Sequence, residues 1–78
     1  MEEVTLHAFR RLRASGDPAL RDRLTCRHMP LVGHLARRFA RPGVPLEDLV
    51  QVGYVGLINA VDHFDPDRRV KFETYARH

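Results

Sequence analysis

The chain has little cysteine, no basic leader and no apolar run long enough to cross a membrane. Its single cysteine, Cys26, allows no internal disulfide and fits a reducing, cytoplasmic compartment. The longest stretch without a formally charged residue, 49–61, is shorter than the ~20 apolar residues that span a bilayer. Because the chain begins Met1-Glu2-Glu3, acidic where a secretory signal is basic, we expect no such signal and no membrane partner.

Internal repeats, low-complexity linkers and alternating strand patterns are also missing. What remains is helical periodicity in a chain of 78 residues, of which 44% are hydrophobic. A core of that size is marginal by itself, because the entropy lost on ordering the chain nearly cancels the gain from burial. We therefore expect one small domain, or part of a larger one, that is supported by a partner or by further sequence.

The charges are unevenly distributed along the chain. Residues 1–41 contain nine arginines and four acidic residues, a net charge of +5, whereas residues 42–78 carry −2. A uniformly basic DNA-binding protein would not be divided in this way, so the asymmetry indicates more than one kind of partner. An ordinary solvated arginine-rich helix face is an equally good interpretation of the first half.

The first predicted helix covers residues 4–14, where apolar residues recur at every fourth position. Ser15-Gly16 ends it, and Asp17-Pro18 is typical of an N-cap followed by proline in the first turn of a new helix. The second helix has an apolar stripe over residues 20–39. Pro30 lacks an amide donor and clashes with the preceding turn, so a kink or break is expected beside it.

In the second half, residues 45–51 predict a short helix with acidic residues in its first turn. Gly53 then allows a sharp turn into a further helix that ends at Phe64. Asp65-Pro66-Asp67 is a turn signal, and Phe72 begins a last helix. The prediction is an all-α bundle of about four helices.

The sequence offers little for catalysis. No pair among the histidines and Cys26 has the spacing of zinc ligands, so we expect no metal site. Asp65 and Asp67 flank a proline, and turn chemistry explains them. Neither a glycine-rich phosphate loop nor a nucleophile beside a base is present. We expect neither an enzyme nor a cofactor.

The segment 48–61 is too apolar to be all surface and too continuous to be buried all round in so short a chain. Some of its apolar side chains should lie outside the core; the candidates are Val50, Val52, Tyr54, Val55 and Ile58. With Asp48, Gln51 and Asn59 around them, they are typical of a protein–protein site. The alternative is a helix that the other helices bury completely.

The C-terminal part interleaves aromatic and basic residues between Phe64 and Tyr75. This pattern is typical of single-stranded nucleic-acid binding, in which rings stack on bases at about 1–3 kcal/mol each and cations follow phosphates. The alternative, which composition by itself favours, is that Phe64, Phe72 and Tyr75 complete a hydrophobic core.

Together these residues resemble region 2 of the sigma-70 family of RNA polymerase sigma factors. The resemblance rests on an ordered series: Pro-Leu-Glu-Asp-Leu-Val-Gln at 45–51, Gly53, Gly56-Leu57, Ala60-Val61, Phe64-Asp65-Pro66 and Lys-Phe-Glu-Thr-Tyr-Ala at 71–76. It covers residues 20–78, whereas residues 1–19 match only in being helical and polar. It implies a sigma region-two-like helical domain over residues 18–78, incomplete at its C-terminus, after a helix and linker over residues 1–17.

The resemblance implies a docking site for the clamp helices of the largest polymerase subunit. In the family, the Asp-Leu-x-Gln helix and the turn after it bind these helices, whose basic residues would donate charge-assisted hydrogen bonds to a carboxylate. The matching positions are Asp48, Gln51, Val52, Tyr54 and Ile58.

The resemblance also implies recognition of the promoter's −10 element, from which the family captures a flipped adenine in a pocket. The matching positions are Phe64, Asp65, Arg68 and Tyr75, with Lys71, Phe72 and Thr74 nearby. Tyr75 would stack on the extruded base, and Arg68 and Lys71 would hold phosphates.

Three positions depart from the family pattern. Val52 stands where glutamate is common, Arg69 where glycine is usual, and His78 where many members carry a tryptophan that opens the duplex. If position 69 needed a positive φ, arginine would cost about 1–2 kcal/mol and the loop would be reshaped. The sequence ends without a helix stop signal, and we expect a fragment that does not initiate transcription alone.

The resemblance is to an alternative sigma factor that binds core polymerase and contributes to −10 recognition and melting in transcription initiation. Stress-response, sporulation and flagellar types share these motifs. Two other hypotheses stay open. A truncated sigma-like module would be bound by polymerase or by an anti-sigma factor without promoter activity. A stand-alone basic helical protein would bind any DNA duplex through its arginine-rich first half.

Overall fold

The computed structural model describes residues 2–77, and the side chains of residues 4–77, as a bundle of five helices without strands. The helices are α1 (Glu2–Ser15), α2 (Pro18–Arg27), α3 (Met29–Arg38), α4 (Leu46–His63) and α5 (Phe72–Ala76). The all-α prediction is confirmed. His78, one of the departures from the family pattern, lies outside the described residues. None of the described helices is long and apolar enough to cross a membrane.

The junction between α1 and α2 forms as the sequence predicts. Gly16 follows α1 with a left-handed φ of 64°, and its amide donates to the carbonyl of Leu12 at 2.7 Å. Asp17 then caps α2, because its Oδ1 accepts a hydrogen bond from the amide of Ala19 at 3.0 Å. α1 therefore ends and α2 begins with only two residues between them.

The break predicted beside Pro30 is confirmed. α2 ends and α3 begins at His28, whose backbone (φ −100°, ψ 4°) is not helical, and Pro30 occupies the first turn of α3. The His28 ring Nδ1 donates to the carbonyl of Leu24 at 2.8 Å. A side chain thus satisfies one of the carbonyls that the interrupted helix leaves without an amide partner.

The turn predicted at Gly53 is wrong, because α4 is one continuous helix of 18 residues. Gly53 faces α3, where an added Cβ would lie 2.9 Å from Val32 Cγ1. The glycine therefore allows α4 to approach α3 closely, which is a packing role that a sequence cannot distinguish from a turn.

The core draws on both ends of the chain. Its buried members are Phe9, Leu12, Leu20, Leu24, Val32, Leu57, Ala60, Val61, Phe64 and Phe72. Phe9 of α1 is 1% exposed and stacks on Phe72 of α5, with ring centroids 4.9 Å apart. Burying such a side chain contributes about 1.5–3 kcal/mol, so α1 supports the rest of the bundle. The division into residues 1–17 and residues 18–78 stays a proposal. The core contains residues from both sides of this boundary.

The segment between α4 and α5 adopts ordinary backbone conformations. Asp65 Oδ1 accepts a hydrogen bond from the amide of Asp67 at 3.0 Å, which is the turn that Asp65-Pro66-Asp67 predicts. No described non-glycine residue has a positive φ, so Arg69 does not carry the strain considered for it. Arginine fits this loop where a glycine is usual in the family.

Candidate functional site

One face of α4 points away from the bundle and carries both polar and apolar side chains. At 3.6 residues per turn, this face holds five exposed residues: Asp48, Gln51, Val52, Val55 and Asn59. Val52 and Val55 are 73% and 58% exposed. Such exposed valines, surrounded by polar side chains, are typical of a surface that another molecule covers.

Tyr54 and Ile58 border this face one helical turn apart. Tyr54 is exposed and Ile58 is half-buried. The five docking positions implied by the resemblance therefore lie together with Val55 on one continuous surface, which we call the docking face. Val55 lies at its centre but was not among the implied site residues. Its place in the apolar run 48–61 was the only signal for it.

Asp48 and Gln51 are free to bind a partner. Within residues 4–77, neither side chain has a hydrogen-bond or ion-pair partner. Asp48 lies in the first turn of α4, where the helix dipole favours a negative charge. The docking face therefore offers one carboxylate and one amide beside exposed apolar side chains.

An apolar groove of about 240 Å³ runs between α3 and α4 beside the docking face. It is lined by Leu31, Val32, Leu35, Ala36, Phe39, Leu49, Val52, Gly53, Gly56, Leu57 and Ala76. Phe39, the last residue of the apolar stripe predicted for the second helix, is 59% exposed. Val52 belongs to the groove and to the docking face, so the two form one apolar surface.

A second pocket, of about 410 Å³, lies where the ends of α1 and α4 meet the following loop and α5. We call it the aromatic–basic pocket; its lining residues are Arg13, His63, Phe64, Asp65, Arg68, Val70 and Tyr75. Four of the residues implied for −10 recognition, Phe64, Asp65, Arg68 and Tyr75, therefore meet in one place. Lys71 and Thr74 are exposed but do not line this pocket.

Tyr75 presents an aromatic ring to the aromatic–basic pocket. It is 38% exposed, and its ring packs against Phe64 with centroids 5.4 Å apart and planes inclined by 54°. Because a buried ring supports Tyr75, a base that entered the pocket would meet a surface whose position is already fixed.

The other two aromatic residues implied for strand binding belong to the core. Phe64 and Phe72 are 1% and 3% exposed and form an edge-to-face pair with centroids 5.2 Å apart. Rings buried this deeply cannot stack on a base, so the expectation of direct contact is corrected for both. The sequence favoured this outcome as the alternative, and Tyr75 alone of the three rings stays accessible.

Arg68 is a highly accessible cation of the aromatic–basic pocket. Its side chain is 81% exposed, and its Nε lies 3.8 Å from Oδ2 of Asp65. An ion pair this exposed is weak, so a phosphate can replace the carboxylate at little cost. Asp65 is held in turn by its bond to the Asp67 amide.

The histidines and the cysteine form no metal centre in the part of the chain that the structure describes. No group of three or more His, Cys, Asp or Glu residues there could hold a metal ion. Cys26 is free and exposed.

Comparisons with known proteins identify the family to which this chain is similar. The model of the family "Sigma-70 region 2" matches residues 24–78. An RNA polymerase sigma-F factor of Kitasatospora aureofaciens is 55% identical over 49 residues, which are 63% of this chain and 16% of that protein. An RNA polymerase sigma-E factor of Clostridium acetobutylicum is 46% identical over 61 residues, 78% of this chain and 26% of that protein. The chain thus spans a minor part of the length of the curated relatives it matches.

Proposed function

The chain belongs to the sigma-70 family, whose region 2 it carries, and we propose that it docks on core RNA polymerase and begins recognition of the promoter −10 element. The single observation that carries the proposal is the docking face. Val52 and Val55 lie open there beside an unpaired carboxylate and amide. A face of this kind needs a protein partner.

The partner that we propose is the pair of clamp helices of the largest polymerase subunit. Asp48 accepts charge-assisted hydrogen bonds from their basic residues, each worth about 1.5–3 kcal/mol, and Gln51 adds neutral ones worth about 0.5–1.5 kcal/mol. Val55 and Ile58 supply the apolar contact, and Tyr54 extends it. Val52 lies beside them at the position where glutamate is common in the family. The exposure of Val52, Tyr54 and Val55 supports this assignment, as do the free polar atoms of Asp48 and Gln51.

The aromatic–basic pocket is the proposed site for a flipped base of the −10 strand. Tyr75 stacks on the base, which offsets part of the few kcal/mol that unstacking costs. Arg68 leaves Asp65 for a phosphate, and Lys71 and Thr74 contact the strand outside the pocket. Phe64 acts from the core by positioning Tyr75, which the 5.4 Å contact between their rings supports. Phe72 in turn packs against Phe64 at 5.2 Å.

We further propose that residues 18–78 form the sigma-like unit and that residues 1–17 are a preceding helix and linker. An anti-sigma factor that covered the docking face would exclude the clamp helices, because both would need Asp48 and Val55. In that case the chain would be a regulated polymerase ligand.

A two-step binding experiment distinguishes the three functions under consideration. Labelled chain is titrated with core polymerase, and the complex is then titrated with the −10 non-template strand or a scrambled strand. The proposed function predicts a complex that prefers the −10 strand. A module without promoter activity predicts a complex with no preference. If the chain is a stand-alone basic protein, it should bind any duplex equally well in the absence of polymerase. The proposal is rejected if the complex shows no preference for the −10 strand, or if the chain alone binds every duplex equally.

A further inference from the structure

We propose that Arg13 of α1, a residue outside the region 2 match, is a phosphate-binding residue of the aromatic–basic pocket. The inference rests on the proposed function, since it names a further contact to the same strand. It assigns α1 a direct part in nucleic-acid binding, whereas the resemblance gives residues 1–19 none.

Arg13 lines the pocket together with Arg68 and Tyr75. Its Nη1 donates to the carbonyl of Phe64, the C-cap residue of α4, at 3.5 Å. The carboxyl end of a helix carries partial negative charge, which favours a cation at this place. The guanidinium therefore lies at the edge of the pocket and keeps further N–H groups for a ligand.

The partners of Arg13 distinguish it from three arginines that share a pocket or depression with it. Arg10 pairs with Asp67 at 3.1 Å, Arg21 with Asp62 at 3.6 Å, and Arg68 with Asp65 at 3.8 Å. Arg13 has no carboxylate partner among the described residues, since the one bond it makes is to a neutral carbonyl. Its charge is thus not neutralised by the protein.

Arg13 also borders two further depressions, one shared with Arg21 and the other with Arg10. A chain of phosphates that passed from the aromatic–basic pocket into either depression would stay within reach of Arg13. A planar guanidinium suits a phosphate because it donates two parallel hydrogen bonds. The geometry therefore points to a nucleic-acid backbone rather than to an isolated anion.

The test compares Arg13→Gln with Arg11→Gln in the full chain. Glutamine keeps an amide donor for the Phe64 carbonyl but has no charge, and Arg11 loses the same charge from the exposed side of α1, opposite the core. Binding of the −10 single strand is measured by fluorescence anisotropy between low and high salt, with urea denaturation to confirm that both variants fold.

Removing one phosphate contact should make the negative slope of log K against log[salt] shallower by about 0.7. If the affinities coincide at about 1 M salt, this corresponds to roughly eightfold weaker binding at about 50 mM salt. Arg11→Gln should keep the wild-type slope. If Tyr75→Ala weakens binding while Arg13→Gln keeps the wild-type slope, the role of Arg13 is rejected and the pocket's role stands. If the wild-type chain binds no strand even at low salt, both are rejected.

Discussion

Gly53 of α4 lies so close to Val32 of α3 that a Cβ at Gly53 would be 2.9 Å from Val32 Cγ1. Val32 is 4% exposed and β-branched, so it has little freedom to move away. The contact fixes how closely the two helices approach each other. Since Asp48, Gln51 and Val55 lie on the opposite side of α4, the same contact holds them outward.

The two glycines of α4 should respond oppositely to alanine. In an exposed helix interior, alanine is about 1 kcal/mol more favourable than glycine. Gly56 has no other atom within 4 Å of an added Cβ, so Gly56→Ala should raise the free energy of unfolding by about that amount. At Gly53, overpacking costs about 1–3 kcal/mol and outweighs the helix-propensity gain of alanine, so Gly53→Ala should lower the free energy of unfolding. Urea denaturation measures both, and equal stabilisation by the two substitutions would contradict the packing role of Gly53.

Substitutions at Tyr75 and Phe72 should affect different properties: strand binding at Tyr75 and stability at Phe72. Tyr75→Ala should weaken binding of the −10 strand by about 1–3 kcal/mol, because a base loses its stacking partner. Since Tyr75 is partly exposed, the variant should stay folded and keep its affinity for polymerase. Phe72→Leu should instead lower stability, because Phe72 packs against Phe9 and Phe64 in the core. Anisotropy and thermal denaturation test the pair, and unchanged strand binding by Tyr75→Ala would remove that residue from the site.

Val52→Glu should strengthen docking on polymerase. Glutamate is common at this position in the family, and the clamp helices are basic, so an exposed carboxylate should add about 0.2–1 kcal/mol. The gain should fade with added salt. Val4→Glu is the matched control, since Val4 is a similarly exposed valine (64% against 73%) on α1. Titration calorimetry with core polymerase measures both, and weaker binding by Val52→Glu would indicate that the valine itself makes the contact.

Much of the fold was predictable because local chemistry decides it. A proline without an amide donor and an aspartate before a proline fixed the boundaries of α2 and α3, and both were found as expected. Gly53 was misread because a glycine that permits a turn and one that permits close packing are the same residue. That α1 joins the core through Phe9 was not predictable, since the contact with Phe72 spans most of the chain.

The candidate sites were also predictable where local sequence decides them and unpredictable where long-range contacts do. The exposure of Val52 and Tyr54 follows from having more apolar residues in α4 than so small a bundle can bury. The burial of Phe64 and Phe72 depends on which rings α1 covers, and spacing along the chain does not reveal that. Arg13 was not predicted to be a site residue, because only the folded chain brings it to the carbonyl of Phe64.

The most direct test of the docking face is the affinity of Asp48→Ala and Gln51→Ala for the isolated clamp helices, measured by titration calorimetry. Each substitution should weaken binding by about 1–3 kcal/mol, because each removes hydrogen bonds that no group within the chain replaces. Asp22→Ala is the control, since it removes the same charge from an exposed position on α2. Wild-type affinity in both variants, with their helical circular dichroism intact, would show that polymerase does not bind this face.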